Sequence, residues 1–399
     1  MRVAIFHNRY LHRGGEDSVV DVEVELLRKA GHSVRTFFVD NRDEIAGRVM
    51  GALRAGWSAR WNRTAHSRVG EFLEEEPVDV GHVHNFFPLL SPAVHAALRA
   101  HGVPVVQTLH NYRLLCANGL LLRRGLPCEE CVTRGPWNSV RYGCYRGSRI
   151  QTAVWAEQAA LHRRRDTWGQ LVDLFTVPSE LARRKLLAAG LAPERLVVKP
   201  NPVADPGRPA FGGRGAVFVG RLSAEKGVAS LLEAWKGVAG VPLTIIGSGP
   251  EEPSLRRRAA ALPGVRFLGR VGRERVQAEL RAAAFAVQPS IAYETFCLTV
   301  VEAMAAGTPT VATRGTAPGE LVEHGRTGLL FDSGDVAGLA EACRRLAADS
   351  GLAESMGREA RANYEERFTP EVSLQALVAV YERALARRGR SRGGAQYDL

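Results

Sequence analysis

The chain has 399 residues, more than one hydrophobic core usually supports, so two domains are expected. Hydrophobic residues make up 45% and charged residues 24%, ordinary values for a globular protein, and no apolar run reaches the roughly 20 residues that span a bilayer. Arginine supplies most of the formal charge of +11, with only five lysines, which suits phosphate-bearing ligands or anionic membranes; the chain has no helix-turn-helix, zinc-finger or aromatic RNP-type pattern, so nucleic acid is not an expected partner.

The chain opens directly on a strand-like run with no signal-peptide layout, so a cytoplasmic location is expected, with contact at the inner membrane face as an option. Strand-like runs lie at 3–7, 34–39, 80–84, 103–109, 174–178 and 196–199. Helical patterns separate most of them, as at 17–30, where Val20, Val24 and Leu27 form an apolar stripe that Gly31 ends. Such alternation predicts an α/β, Rossmann-like doubly wound domain. Residues 200–214 are rich in Pro and Gly and read as a linker; a second series of strands follows at 216–219, 243–246, 265–268, 286–288, 310–312 and 329–331. The expected division is 1–200 and 201–370, two such domains facing across a cleft, with an insert at 112–148 in the first. A helix at 371–388 then packs across both, and an Arg/Gly-rich tail at 389–399 is expected to be disordered.

In chain order, Gly14 and Gly15 close the loop after the first strand. The loop is not G-x-G-x-x-G, which argues against a dinucleotide fold; the paired glycines suit either a tight turn or close approach of backbone to a phosphate. Ile45, Val49, Leu53, Trp57 and Trp61 recur every four residues among Arg48, Arg54, Arg60 and Arg63, the pattern of a core-facing amphipathic helix or of one lying on an anionic membrane. His110 ends the run at 103–109, where a lone histidine is as readily a packed residue as a functional one.

Cys116, Cys128, Cys131 and Cys144 follow as C-x11-C-x2-C-x12-C, with Cys297 and Cys343 elsewhere. In a cytosolic protein a structural zinc site is the first candidate, ahead of reduced thiols and of an iron–sulfur cluster or redox pair. The insert is expected to overhang the cleft and to carry acceptor contacts on Tyr112, Arg113, Trp137 and Tyr142.

In the second half, Gly220 ends a strand, and Arg221 and Lys226 five residues apart can clamp two phosphates or be two surface cations. A helix expected at 296–306 presents free N–H groups near Phe296, Cys297 and Leu298, a diphosphate site. Glu294 can accept hydrogen bonds from sugar hydroxyls and Glu302 from a ribose diol; the plain alternative is a capping and a helix-surface glutamate.

Residues 220–227 and 294–309, with E-x7-E followed by A-M-A-x-G-x-P, resemble the retaining family-four glycosyltransferases, as do 247–250 and 315–331. The resemblance implies a GT-B fold, a nucleotide diphosphate sugar donor, retention at the anomeric carbon and no catalytic metal. It implies that Arg221 and Lys226 bind the diphosphate, Glu294 the donor sugar and Glu302 the ribose, with His110 near the sugar or leaving group. The acceptor is then a glycan, a lipid-linked glycan or a small molecule. Thr295 and Cys297 depart from the glycines common in that family and narrow the cradle, so the resemblance does not carry the sugar preference. A sugar-nucleotide 2-epimerase of the same fold and a non-catalytic sugar-nucleotide-binding protein are the rival readings.

Overall fold

A computed structural model describes residues 1–9, 14–40 and 59–390. The first half forms β1 (Arg2–Arg9), β2 (Ser33–Asp40), β3 (Val80–Val83), β4 (Val105–Thr108), the short hairpin β5 (Leu122–Arg123) and β6 (Leu126–Pro127), β7 (Leu174–Val177) and β8 (Leu196–Val198). The second half forms β9 (Ala216–Val219), β10 (Leu243–Ile246), β11 (Val265–Gly269), β12 (Phe285–Gln288), β13 (Thr310–Thr313) and β14 (Gly328–Phe331). Two six-stranded sheets result, ordered β2-β1-β3-β4-β7-β8 and β11-β10-β9-β12-β13-β14. Every recorded pairing within them is parallel.

The strands are buried on both faces because helices cover both. Val3 and Ile5 of β1 pack with Val20, Val24 and Leu27 of the helix Gly15–Lys29. Ala4 and Phe6, pointing the other way, pack with Val69 and Leu73 of Arg63–Glu75 and with Val94 and Leu98 of Ala93–Ala100. The second domain repeats the device: Ala216 and Phe218 face one helix layer, Val217 the other. Burying each such Val or Leu is worth roughly 1.5–3 kcal/mol, and the alternation fixes the register.

The helix Pro370–Arg390 returns to the first domain, where Leu377, Val380, Tyr381 and Ala384 join the cluster around Val3 and Ile5. The tail at 391–399 and Ile45, Val49, Leu53 and Trp57 lie outside the described residues; Trp61 is described and sits beside His66, ring centroids 6.4 Å apart. No helix among the described residues is long and apolar enough to cross a membrane.

In each sheet the strand order reverses beside the first strand of its domain, between β1 and β3 and between β9 and β12. Loops leaving the carboxyl ends of neighbouring strands diverge there, which opens a crevice for ligands.

Candidate donor and acceptor site

The carboxyl end of β9 leads into Gly220, exposed Arg221 and a single 3-10 turn, Ala224–Lys226. Gly227 ends that turn at φ +69°, where a Cβ would sit 2.0 Å from the carbonyl oxygen of Pro289, so only glycine lets the loop lie against the segment after β12. That contact places Lys226 Nζ 2.6 Å from Glu294 Oε2. Glu294 Oε1 is buried without a partner. Burial pulls the Lys226 pKa down, but Glu294 and Cys297 outweigh it and the net shift is upward, so the ammonium keeps its charge.

The helix after β12 begins at Leu298, two residues later than the sequence suggests, and runs Leu298–Ala306 to Gly307 at φ +78°. Cys297 is its N-cap and is buried; burial first and then Glu294 push its thiol up to about 12. Phe296 turns into the core beside Phe368, ring centroids 6.3 Å apart. Glu302 is half-buried, and burial raises its carboxyl against the opposing pull of Arg273.

Opposite stands the N-terminus of Gly15–Lys29. Gly14 caps it in extended backbone, and its N–H donates to Asp17 Oδ2 at 2.8 Å. A Cβ on Gly15 would meet Leu298 Cδ1 at 3.1 Å. The N-termini of two helices from different domains therefore lie against one another, each with the positive end of its dipole toward the other. His110, just past β4, is joined to the same loop: Thr295 Oγ1 donates to its carbonyl oxygen at 2.6 Å. Farther out the domains are pinned where Glu320 accepts from the N–H groups of Glu180 and Leu181, both at 2.6 Å, capping Glu180–Ala188.

The structure thus gathers Lys226, Glu294, Cys297, Leu298, Gly15 and His110, while Arg221 stands on the exposed rim. The sequence reading missed a buried set behind His110. His84 Nδ1 lies 2.9 Å from His110 Nε2, His82 Nε2 lies 2.7 Å from Thr108 Oγ1, and Lys199 Nζ lies 2.5 Å from Glu23 Oε1. The signal was present in His82-Val83-His84, since alternate residues of a strand share one face.

The cysteines do not form the expected close cluster. A zinc tetrahedron needs sulfurs about 3.8 Å apart. Among the described residues, the group of potential metal ligands that converges within 4.8 Å is Glu23, His82 and His84. The thiols serve different packing clusters: Cys116 lies in the main core and donates to Asn118 Oδ1 at 3.0 Å, whereas Cys144 packs beside Trp155. Burial first, then the neighbouring thiols, push Cys131 up to about 12. Tyr112 is likewise a core residue, 1% exposed, and not a surface for an acceptor. A cavity of about 420 Å³ under the insert, lined by Leu115, Trp155, His162 and Trp168 among others, shares no residue with the set gathered around Lys226 and Glu294.

Burial lowers His95 and His162 to about 4, against the opposing hydrogen bonds of Gln107 and of the Arg60 carbonyl. Below pH 6.5 the unfolded chain binds protons at these positions that the folded chain does not. Stability should therefore fall as pH drops from about 6.5 toward 4, by up to about 1.4 kcal/mol per pH unit for each buried imidazole. Urea midpoints at pH 7 and pH 5 check this, and equal midpoints would contradict it.

A profile described as Glycosyltransferase Family 4 matches residues 13–205, and one described as Glycosyl transferases group 1 matches residues 213–349. Glycogen synthase of Mycobacterium tuberculosis is 37% identical over 189 residues, 46% of this chain and 45% of that one. The chain thus spans about half the length of that relative. A phosphatidyl-myo-inositol mannosyltransferase of Mycobacterium leprae is 29% identical over 386 residues, covering 92% of this chain and 93% of the relative. In fold, the HepE protein of Anabaena, solved in complex with UDP, superposes with a TM-score of 0.68 over 96% of this chain and 100% of that one, at 18% identity. With each half matched by such a profile and folded as a parallel-sheet domain, the chain belongs to the family-four glycosyltransferases of the GT-B fold.

Proposed function

We propose that the chain transfers a hexosyl or hexosaminyl group from a nucleotide diphosphate sugar to a glycan, lipid-linked glycan or small-molecule acceptor, with retention and without a catalytic metal. The observation that carries this reading is the Lys226–Glu294 pair: one carboxylate oxygen is held by the ammonium, and the other is buried with no partner. An unsatisfied buried acceptor is costly unless a ligand supplies the donor, and a sugar hydroxyl does so. The facing helix N-termini and the Lys226 ammonium suit the diphosphate, with Arg221 closing from the rim. The acceptor oxygen bonds to the anomeric carbon as the bond to the leaving phosphate oxygen breaks. The acceptor proton passes to that phosphate on the same face, which retains the configuration. In this reading Glu302 accepts from the ribose diol.

Mass spectrometry across a panel of sugar nucleotides, with and without acceptors, tests it. Acceptor-dependent release of nucleoside diphosphate is expected. Conversion of the sugar with no acceptor would point to the epimerase, and binding without turnover to a non-catalytic protein.

A membrane-borne acceptor fits the surface of the insert. Of the exposed large hydrophobics among the described residues, Leu120, Leu126 and Trp137 fall there and Ile150 lies just beyond it, among exposed Arg124, Arg134, Arg141, Arg146 and Arg149. Apolar side chains ringed by guanidinium groups match an anionic bilayer surface. Flotation with vesicles containing phosphatidylglycerol should carry the protein, and the Leu126→Ser/Trp137→Ser variant should remain at the bottom of the gradient. Equal flotation of both would remove the insert from this role.

A further inference from the structure

Behind His110 runs a chain of buried groups that no surface role explains. Lys199 and Glu23 are each 1% exposed and paired at 2.5 Å through Glu23 Oε1. The other oxygen, Glu23 Oε2, lies 3.6 Å from Nε2 of His84, which is itself completely buried. Neither of these two atoms has any other hydrogen-bond partner. His84 Nδ1 then meets His110 Nε2 at 2.9 Å, and the two imidazoles are stacked at 16° with centroids 5.3 Å apart. His110 stands at the mouth, half-buried, with its carbonyl oxygen tied to Thr295 of the donor loop.

We infer that Glu23 and His84 are positioning residues that fix the tautomer of His110, leaving its Nδ1 as a bare acceptor for a hydroxyl of the donor sugar. The first link is electrostatic. A lone pair on His84 Nε2 facing a carboxylate oxygen at 3.6 Å is repelled, so Nε2 carries the hydrogen and points it at Glu23. Lys199 pairs with the other oxygen of Glu23 at 2.5 Å, which leaves Oε2 to face His84. Burial first, and then His82, His110, His7 and the same ammonium, disfavour a second proton on His84. His84 is therefore neutral, and its Nδ1 is an acceptor.

The second link follows from the first. An acceptor at 2.9 Å requires the hydrogen of His110 on Nε2. His110 is also neutral, driven down to about 3 by burial, then by His7 and Lys199, with Asp17 opposing. One hydrogen on Nε2 leaves Nδ1 with a lone pair, and no described residue donates to it. His7 stays outside the chain, its Nε2 lying 2.9 Å from Asp17 Oδ1. His82 is likewise engaged by Thr108 and by the Tyr381 hydroxyl. The sugar contact rests on the transfer reading above, whereas the tautomer does not.

Long-range ¹H–¹⁵N correlation on the ¹⁵N-histidine-labelled full chain, with no donor present, reads the tautomer directly. The expected spectrum has both His110 and His84 protonated at Nε2 and bare at Nδ1. A hydrogen on Nδ1 of His110 overturns the inference, whatever the activity. In Glu23→Gln the charge that sets the order is gone, and His84 should shift toward a mixture of tautomers, carrying His110 with it. An unchanged His110 signal in a folded Glu23→Gln protein also overturns it. If the donor panel shows turnover, His84→Phe should lose about tenfold in kcat/KM, the worth of one hydrogen bond, while affinity for the bare nucleoside diphosphate is unchanged. A loss of both would mark His84 as merely structural.

Discussion

Replacing Lys226 with methionine is expected to lower kcat roughly 10³-fold, the scale seen when a preorganised group that stabilises a developing anion is removed. The ammonium sits 2.6 Å from Glu294 and keeps its charge in a largely buried place, so under the proposed transfer it would need no reorganisation as charge builds on a leaving diphosphate. Its removal also leaves the Glu294 carboxylate without its cation. Because the interaction strengthens as the bond breaks, kcat and kcat/KM should fall together. Lys226→Arg keeps a cation and should recover part of the loss. Single-turnover measurements with the donor found in the panel decide it, and a kcat for the methionine variant within tenfold of the parent would refute the assignment.

Lys199→Met should destabilise the fold by about 3–5 kcal/mol, since it strands a buried carboxylate. The Glu23 and Lys199 side chains are both 1% exposed, and the 2.5 Å contact joins the first helix to the end of the last strand of the same sheet. Lys199 Nζ also reaches Ser373 Oγ at 3.4 Å, so the helix Pro370–Arg390 depends on the same ammonium. Its amides should exchange faster in the variant than those of the second domain. Adding Glu23→Leu removes the stranded charge, and the double variant should be more stable than Lys199→Met alone. Urea unfolding of the three proteins tests the sign, and a more stable single variant would show that the charges are not coupled.

The sequence was read well where a periodic pattern and a local rule coincide. Alternating apolar runs with helical spacing between them located the strands of both sheets, because a strand buried on both faces writes its apolar character into consecutive residues. The insert was less legible. Its elements are short, its cysteine spacing suggested a common centre, and the thiols instead divide among the core contacts of Cys116 and the Trp155 cluster of Cys144.

By itself the amino-acid sequence determined the two α/β domains, the loop that carries Arg221 and Lys226, and the helix whose N-terminus follows Glu294. Each of these depends on residues a few positions apart, and backbone geometry alone converts such spacing into structure. Only the tertiary structure decided which charges meet. Glu294 finds Lys226 across 68 residues, Glu23 finds Lys199 across 176, and Thr295 reaches His110 across 185. Electrostatic pairing falls off over a few ångströms and is indifferent to distance along the chain, so no pattern in the sequence records it.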